Sequence, residues 1–253
     1  MTVPAGQRAS RAATGNVLRS AAFQSILFAA ALAFTSPAAA QVGTSISIFS
    51  DDRFRGYSLS DGRPVGILDL SYDAPNGFYA ALSATVVATR HDGLQPLGLQ
   101  LNGGYAKRLS SGLTIDAGVV HSNYSPYSSR NAGKSYTEVY AGLAGKILSS
   151  RLSVSPDYLK PGAWSLYGEV DANVPTVKKL HVTGHVGILA PLNHRGYYDE
   201  TLHPELDWRL GLARDFGPVT LSVAWTGISR NRDLYQERSY GRRALIVGIT
   251  WAL

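Results

Sequence analysis

The chain has 253 residues, with 24 Lys+Arg against 18 Asp+Glu (net +6), 45% apolar content and Cys 0. That length suits one large domain or two small ones. The missing cysteines exclude disulfides, thiolate metal sites and a lipidated N-terminal cysteine.

Residues 1–40 read as an address. Arg8, Arg11 and Arg19 make a positive leader without acids, the run ILFAAALAF (26–34) is too short to span a bilayer, and TSPAAA supplies small residues at Ala38 and Ala40. Together they predict a secretory signal peptide cleaved before Gln41 and a single exported domain over 41–253. The leader holds three of the basic residues, so the rest carries 21 against 18, a net +3. No basic patch interleaved with aromatics remains, and a nucleic-acid partner is not expected. Without 18 consecutive apolar residues downstream, a transmembrane helix is not expected either.

From Gln41 the period is two. TSISIFS (44–50) sets Ile46 and Ile48 against Ser45 and Ser47, and GFYAALSATVVATR (77–90) sets Phe78, Ala80, Leu82, Ala84, Val86 and Ala88 against Ser83, Thr85 and Thr89. PLGLQLNGGYAKRL (96–109) sets Leu97, Leu99 and Leu101 against Gln100 and Asn102. GLTIDAGVVHS (112–122) sets Leu113, Ile115, Ala117 and Val119 against Thr114, Asp116 and Ser122. The second half continues with WSLYGEVDA, LHVTGHVGI, LDWRLGLAR, VTLSVAW and ALIVGITWAL. With fainter strands at 65–73, 136–147 and 149–158, the total is roughly twelve, many about ten residues long. Soluble strands usually run about five or six residues, whereas a tilted strand of about ten crosses a bilayer.

The links between strands alternate in length. Every even-numbered link is short (DAPNG, SSG, LSS, PTVKK, DFGP), and the longest, NYSPYSSRNAGK, PLNHRGYYDETLHP and RNRDLYQERSYGR, are all odd-numbered. Short periplasmic turns and longer extracellular loops give that rhythm. Tyr72, Tyr105, Tyr140, Trp164, Trp225 and Trp251 fall toward strand ends, where amphipathic rings suit lipid headgroups. In hydrocarbon every backbone polar group must be satisfied internally, so strands cross only as a closed barrel. The expected fold is therefore all-β: a transmembrane antiparallel up-and-down barrel of about twelve strands in the cell outer membrane. Its partners would be outer-membrane lipids and lipopolysaccharide, the barrel assembly machinery and small polar solutes.

SDDRFRGYSLSDGRPVG (50–66), followed by LDLSYDAPNGFYA, resembles the opening of the TorF-like (Gcw_chp) family of Gram-negative outer-membrane β-barrels, to which a porin role is attributed. Ser50, Asp51, Arg53, Phe54, Arg55 and Gly56 match that opening, while Asp52 stands where an aromatic is common. YTEVYAGLAG (136–145) is similar to the family's middle region. The resemblance implies an outer-membrane barrel with a channel role and assigns no substrate. Leu253 ends the chain where such barrels tend to carry an aromatic.

Candidate chemistry concentrates on the polar faces. The expected pore-lining residues are Arg53, Arg55, Asp116, Glu138, Glu169, Asp171, His185, Asp207 and Arg209, with Arg214 added at the end of its strand. Continuing the first strand's alternation past residue 50 puts Phe54 on the lipid side and both arginines in the lumen. These charges either line a narrow water channel or fill it by mutual pairing.

No catalytic site is expected: His121 and Ser122 are adjacent on a strand and point to opposite faces. Nor is a metal or other cofactor, since His181 and His185 lie roughly 13 Å apart along a strand and no tight acid cluster is visible locally. Asp199 and Glu200 could bind calcium or bridge lipopolysaccharide cations, a solvated acidic loop being the simpler account. Three functions remain: a passive channel for small polar or ionic solutes, a barrel enzyme acting on lipid or lipopolysaccharide, and a soluble lipocalin-like barrel with its apolar faces turned inward.

Overall fold

In the computed structural model, which describes residues 41–129, 133–193, 203–229 and 242–253, the two-residue alternation becomes long strands. They are β1 (Gln41–Phe49), β4 (Val65–Asp73), β5 (Phe78–Ala88), β6 (Leu94–Arg108), β7 (Thr114–Tyr124), β8 (Ser135–Ala144), β9 (Leu148–Ser155), β10 (Ser165–Pro175), β11 (Leu180–Pro191), β12 (Glu205–Phe216), β13 (Val219–Ile228) and β14 (Arg243–Ala252). Two short strands, β2 (Arg53–Phe54) and β3 (Tyr57–Ser58), form a separate hairpin between β1 and β4.

The twelve long strands pair antiparallel with their neighbours, and β1 closes the sheet by pairing with both β4 and β14. Ile46 faces Leu68 on one side and Trp251 on the other. Closure leaves no unpaired edge, which a bilayer would not tolerate. The first strand starts and the last one ends at the rim that holds the short turns, as the link lengths predict. Gly77 and Gly217 supply positive φ (93° and 66°) in two of those turns.

The apolar faces point out. Ile48, Leu101, Val139, Val186, Leu210 and Val247 are exposed, whereas Ser47, Asn102, Glu138, Asp207 and Thr250 are buried inside. A soluble barrel built around an apolar ligand would have the opposite arrangement. Tyr72, Tyr105, Trp164, Trp225 and Trp251 lie on the outside, as expected for interfacial aromatics.

Three expectations fail, each for a geometric reason. Tyr140 is 3% exposed: it shares the inner face with Tyr136 and Glu138, four and two residues away on β8. Leu97 is fully buried although Leu99 and Leu101 are exposed, because the β5–β6 register shifts at Thr85/Val86. The extra residue of such a bulge reverses the facing of what precedes it. Arg214 continues the outward series Leu210, Leu212 and stacks on Phe216, 4.9 Å from the ring centroid.

Candidate functional site in the barrel lumen

The largest correction concerns residues 50–64. The first wall strand stops at Phe49, and the chain then folds into the barrel mouth as the β2–β3 hairpin. Arg55 (φ 49°) and Gly56 (φ 78°) form its two-residue turn. Left-handed φ at both central positions is the twist that suits a tight hairpin. Arg53 and Arg55 are therefore inward on a hairpin and not on the wall, and Phe54 is buried in the interior instead of lying on the outer face.

Asp51 organises the base of this hairpin. Its Oδ2 accepts from Arg53 Nε at 2.7 Å, and its Oδ1 accepts from Ser58 Oγ (2.5 Å), Ser60 Oγ (2.9 Å) and the Gly62 amide (3.1 Å). Arg53 Nη1 also donates to the Gly56 carbonyl at 2.9 Å. The Asp52 amide donates to Ser60 Oγ at 3.0 Å. Burial, reinforced by the neighbouring Asp51 charge, pushes the Asp52 carboxyl up to about 7. Asp51, Asp52 and Arg53 share with Thr183, Arg209 and Ile246 the lining of a cavity of about 60 Å³, room for about two waters.

At the tip, Arg55 Nη2 donates to Glu138 Oε1 at 2.6 Å, both side chains almost wholly buried. The guanidinium lies 4.0 Å from the Tyr167 ring centroid and 4.8 Å from that of Phe54. The Phe54 ring sits 6.4 Å from those of Tyr124 and Tyr136. Gly56 abuts the wall: a Cβ there would approach Asp207 Cβ to 2.9 Å and Ile228 Cβ to 3.0 Å.

Below the tip, two successive rungs of β10, β11 and β12 point inward. One sets Glu169 across from Gly187 and Gly187 across from Asp207; the next aligns Asp171, His185 and Arg209. His185 bridges them. Its Nδ1 faces Asp171 Oδ1 at 2.8 Å and its Nε2 faces Asp207 Oδ1 at 3.0 Å. The Tyr167 hydroxyl donates to Asp207 Oδ2 and also lies 3.1 Å from His185 Nε2. The missing side chain at Gly187 is what lets the Tyr167 ring cross the rung, since a Cβ would run into it.

A third group is built from β5 to β9. Tyr79 donates to Asp116 Oδ1 at 2.6 Å and touches the Tyr140 hydroxyl, which donates to Asn102 Oδ1 at 3.0 Å. Arg151 lies 3.6 Å from Asp116 Oδ2 and 4.2 Å from the Tyr140 ring centroid. Tyr79 and Tyr140 each lie over a glycine directly across the ladder, Gly104 and Gly118, and a Cβ at either would stand 2.6 Å from the hydroxyl oxygen. Nearer the short-turn rim, His181 Nε2 meets Asp215 Oδ2 at 3.1 Å.

All nine residues singled out from the sequence therefore lie on the inner side, seven on the wall and two on the hairpin. Asp51, Asp52, Tyr79, Tyr140, Arg151, Tyr167 and Asp215 were not among them. Alternation around the buried Arg151 in SRLSVS was the available signal, in one of the fainter strands. His121 is exposed on the outside while Ser122 is buried inside, so the two do not pair. His181 and His185 make separate contacts, and Asp199 and Glu200 lie outside the described residues.

A family model described as "Bacterial protein of unknown function (Gcw_chp)" matches residues 33–250. Among solved structures, a NanC porin is similar at TM-score 0.57 and 13% identity, over 83% of this chain and 100% of that one. A KdgM porin is similar at TM-score 0.52 and 12% identity, over 83% and 99%. No curated protein matches the sequence.

Proposed function

The chain belongs to the Gcw_chp family of bacterial proteins, and from that premise we propose that it is an outer-membrane channel for passive diffusion of small polar or ionic solutes. The observation that carries the reading is the division of solvents across one wall, with apolar side chains dominating the outer faces of the long strands and polar and charged ones the inner faces. An outer surface of this kind is stable in hydrocarbon, and a charged interior requires water or pairing. The porin folds of the two similar structures support the same architecture. Residues 1–40 serve in this reading as the cleaved export signal.

The inner wall is acidic. Asp69, Asp116, Glu138, Glu169, Asp171, Glu205, Asp207 and Asp215 outnumber Arg151 and Arg209 there, even after the hairpin contributes Arg53 and Arg55 against Asp51 and Asp52. The channel therefore prefers cations, and the inward hairpin sets its narrowest passage. The protein is read as having no enzymatic role.

Planar-bilayer recording in a salt gradient tests this. Stepwise conductance with a cation-selective reversal potential is expected, and Arg55→Ala should increase the cation preference. A folded barrel that never conducts would overturn the channel. Recovery of the protein in the soluble periplasmic fraction would overturn the membrane location.

A further inference from the structure

We infer that Glu169, Asp171 and His185 form a binding site on the inner wall for one divalent first-row transition-metal ion of the Zn²⁺ type, with Asp207 as the carboxylate that orients His185. The site requires the barrel fold and is independent of whether the lumen conducts.

The first argument is distance. One ligand atom from each of the three residues lies within 4.8 Å of the other two. His185 Nδ1 and Asp171 Oδ1 are already 2.8 Å apart. Zinc holds nitrogen and oxygen ligands at about 2.0–2.2 Å, so adjacent donors around it stand about 3 Å apart. Small side-chain movements bring all three donors into range.

The second argument is the buried carboxylate. Glu169 is 6% exposed, and the arginine directly across from it on β9, Arg151, is shared with Asp116. A buried carboxylate in that condition is costly unless something compensates it. It points at the same space as Asp171 and His185.

The third argument is the outer shell. His185 Nε2 lies 3.0 Å from Asp207 Oδ1, and Asp207 Oδ2 in turn accepts from the Tyr167 hydroxyl at 3.1 Å. A carboxylate on the far ring nitrogen fixes the imidazole tautomer and leaves Nδ1 to ligate, the usual support for a metal-bound histidine. Charge agrees. With a neutral ligating imidazole, Glu169, Asp171 and Asp207 face Arg209, while Arg55 and Arg151 are engaged by Glu138 and Asp116. The surplus of two negative charges is what one divalent cation offsets. Imidazole with carboxylates suits zinc, cobalt or manganese better than magnesium.

The test uses the full barrel purified in detergent and stripped with a chelator, titrated with Co²⁺ by d–d absorption and with Zn²⁺ by calorimetry. One ion per barrel is expected. Glu169→Gln and His185→Gln should each weaken binding at least about tenfold, and Asp207→Asn about 10- to 100-fold, with heat-modifiable gel migration checking that each variant folds. X-ray absorption of the Zn²⁺-loaded wild type, which needs no variant, should show nitrogen and oxygen ligands with imidazole scattering. Absence of a saturable ion, absence of imidazole scattering, or affinity unchanged in both Glu169→Gln and His185→Gln would overturn the site. The last result would mean that the ion sits elsewhere and that His185 only bridges Asp171 and Asp207. Conductance of the metal-free protein decides the channel reading separately.

Discussion

β1 and the hairpin that follows it carry the same local alternation and meet opposite surroundings. In β1, Ile46 and Ile48 face out while Ser45 and Ser47 face in. In β2, Phe54 lies between two arginines in the same alternating manner, yet it packs inside the barrel against Tyr124 and Tyr136. The difference is taught by the residues between them. Asp51 collects four donors and turns the chain out of the wall, and Arg55–Gly56 closes a tight hairpin before another wall strand can form. Alternation says which residues share a face only while the strand continues.

Four measurements would break or sharpen that contrast. The largest effect is expected from Glu138→Ala, which leaves Arg55 buried without its 2.6 Å partner. Losing one member of a buried pair costs about 3–5 kcal/mol, read as a lower urea midpoint of the folded barrel. If Arg55 were in open water, the midpoint would barely move. Phe54→Ala comes next, at about 3 kcal/mol for a truncated aromatic in a packed site. A phenylalanine on the lipid side would lose much less, so this variant reports directly where the hairpin sits.

For the wall, Leu210→Arg places a charge on the outer face near the middle of β12 and should cost about 2–4 kcal/mol in lipid. The same change at Ser149, on the inner face of β9, should cost clearly less. Equal losses would contradict the two-solvent wall.

The smallest effect is a pH dependence. The Asp52 carboxyl is raised to about 7 in the docked hairpin from an ordinary 3.8. The docked form therefore holds the extra proton between about pH 4 and 7. Docking is strongest below about pH 4 and weakens as pH rises through about 7. Hydrogen exchange at the Leu59 amide, bonded to the Asp52 carbonyl at 2.7 Å, should quicken over that range beyond its intrinsic pH dependence. Asp52→Asn should remove the excess, and an unchanged profile in that variant would reject it.

Much of the wall was legible in the amino-acid order, because side chains of a strand alternate strictly and a bilayer demands long, continuous apolar faces. The strand over 65–73 appears where the faint pattern put it. The inner site was legible only in part. Asp116, Glu169, Asp171 and Asp207 could be assigned inward one strand at a time. That Tyr140 belonged with them was hidden by the habit of aromatics to sit at interfaces, and Leu97 was hidden by a bulge that local alternation does not record.

By itself, then, the amino-acid order determined the period, the two faces, the alternation of short and long links and the kind of barrel these require. Each of those follows from neighbours a few residues apart. Only the tertiary structure decided that Arg55 reaches Glu138, 83 positions away, and that Asp171, His185 and Asp207 meet on adjoining strands. Those contacts depend on cross-strand register and on barrel closure, which bring distant residues to one height in the lumen and which no local pattern specifies.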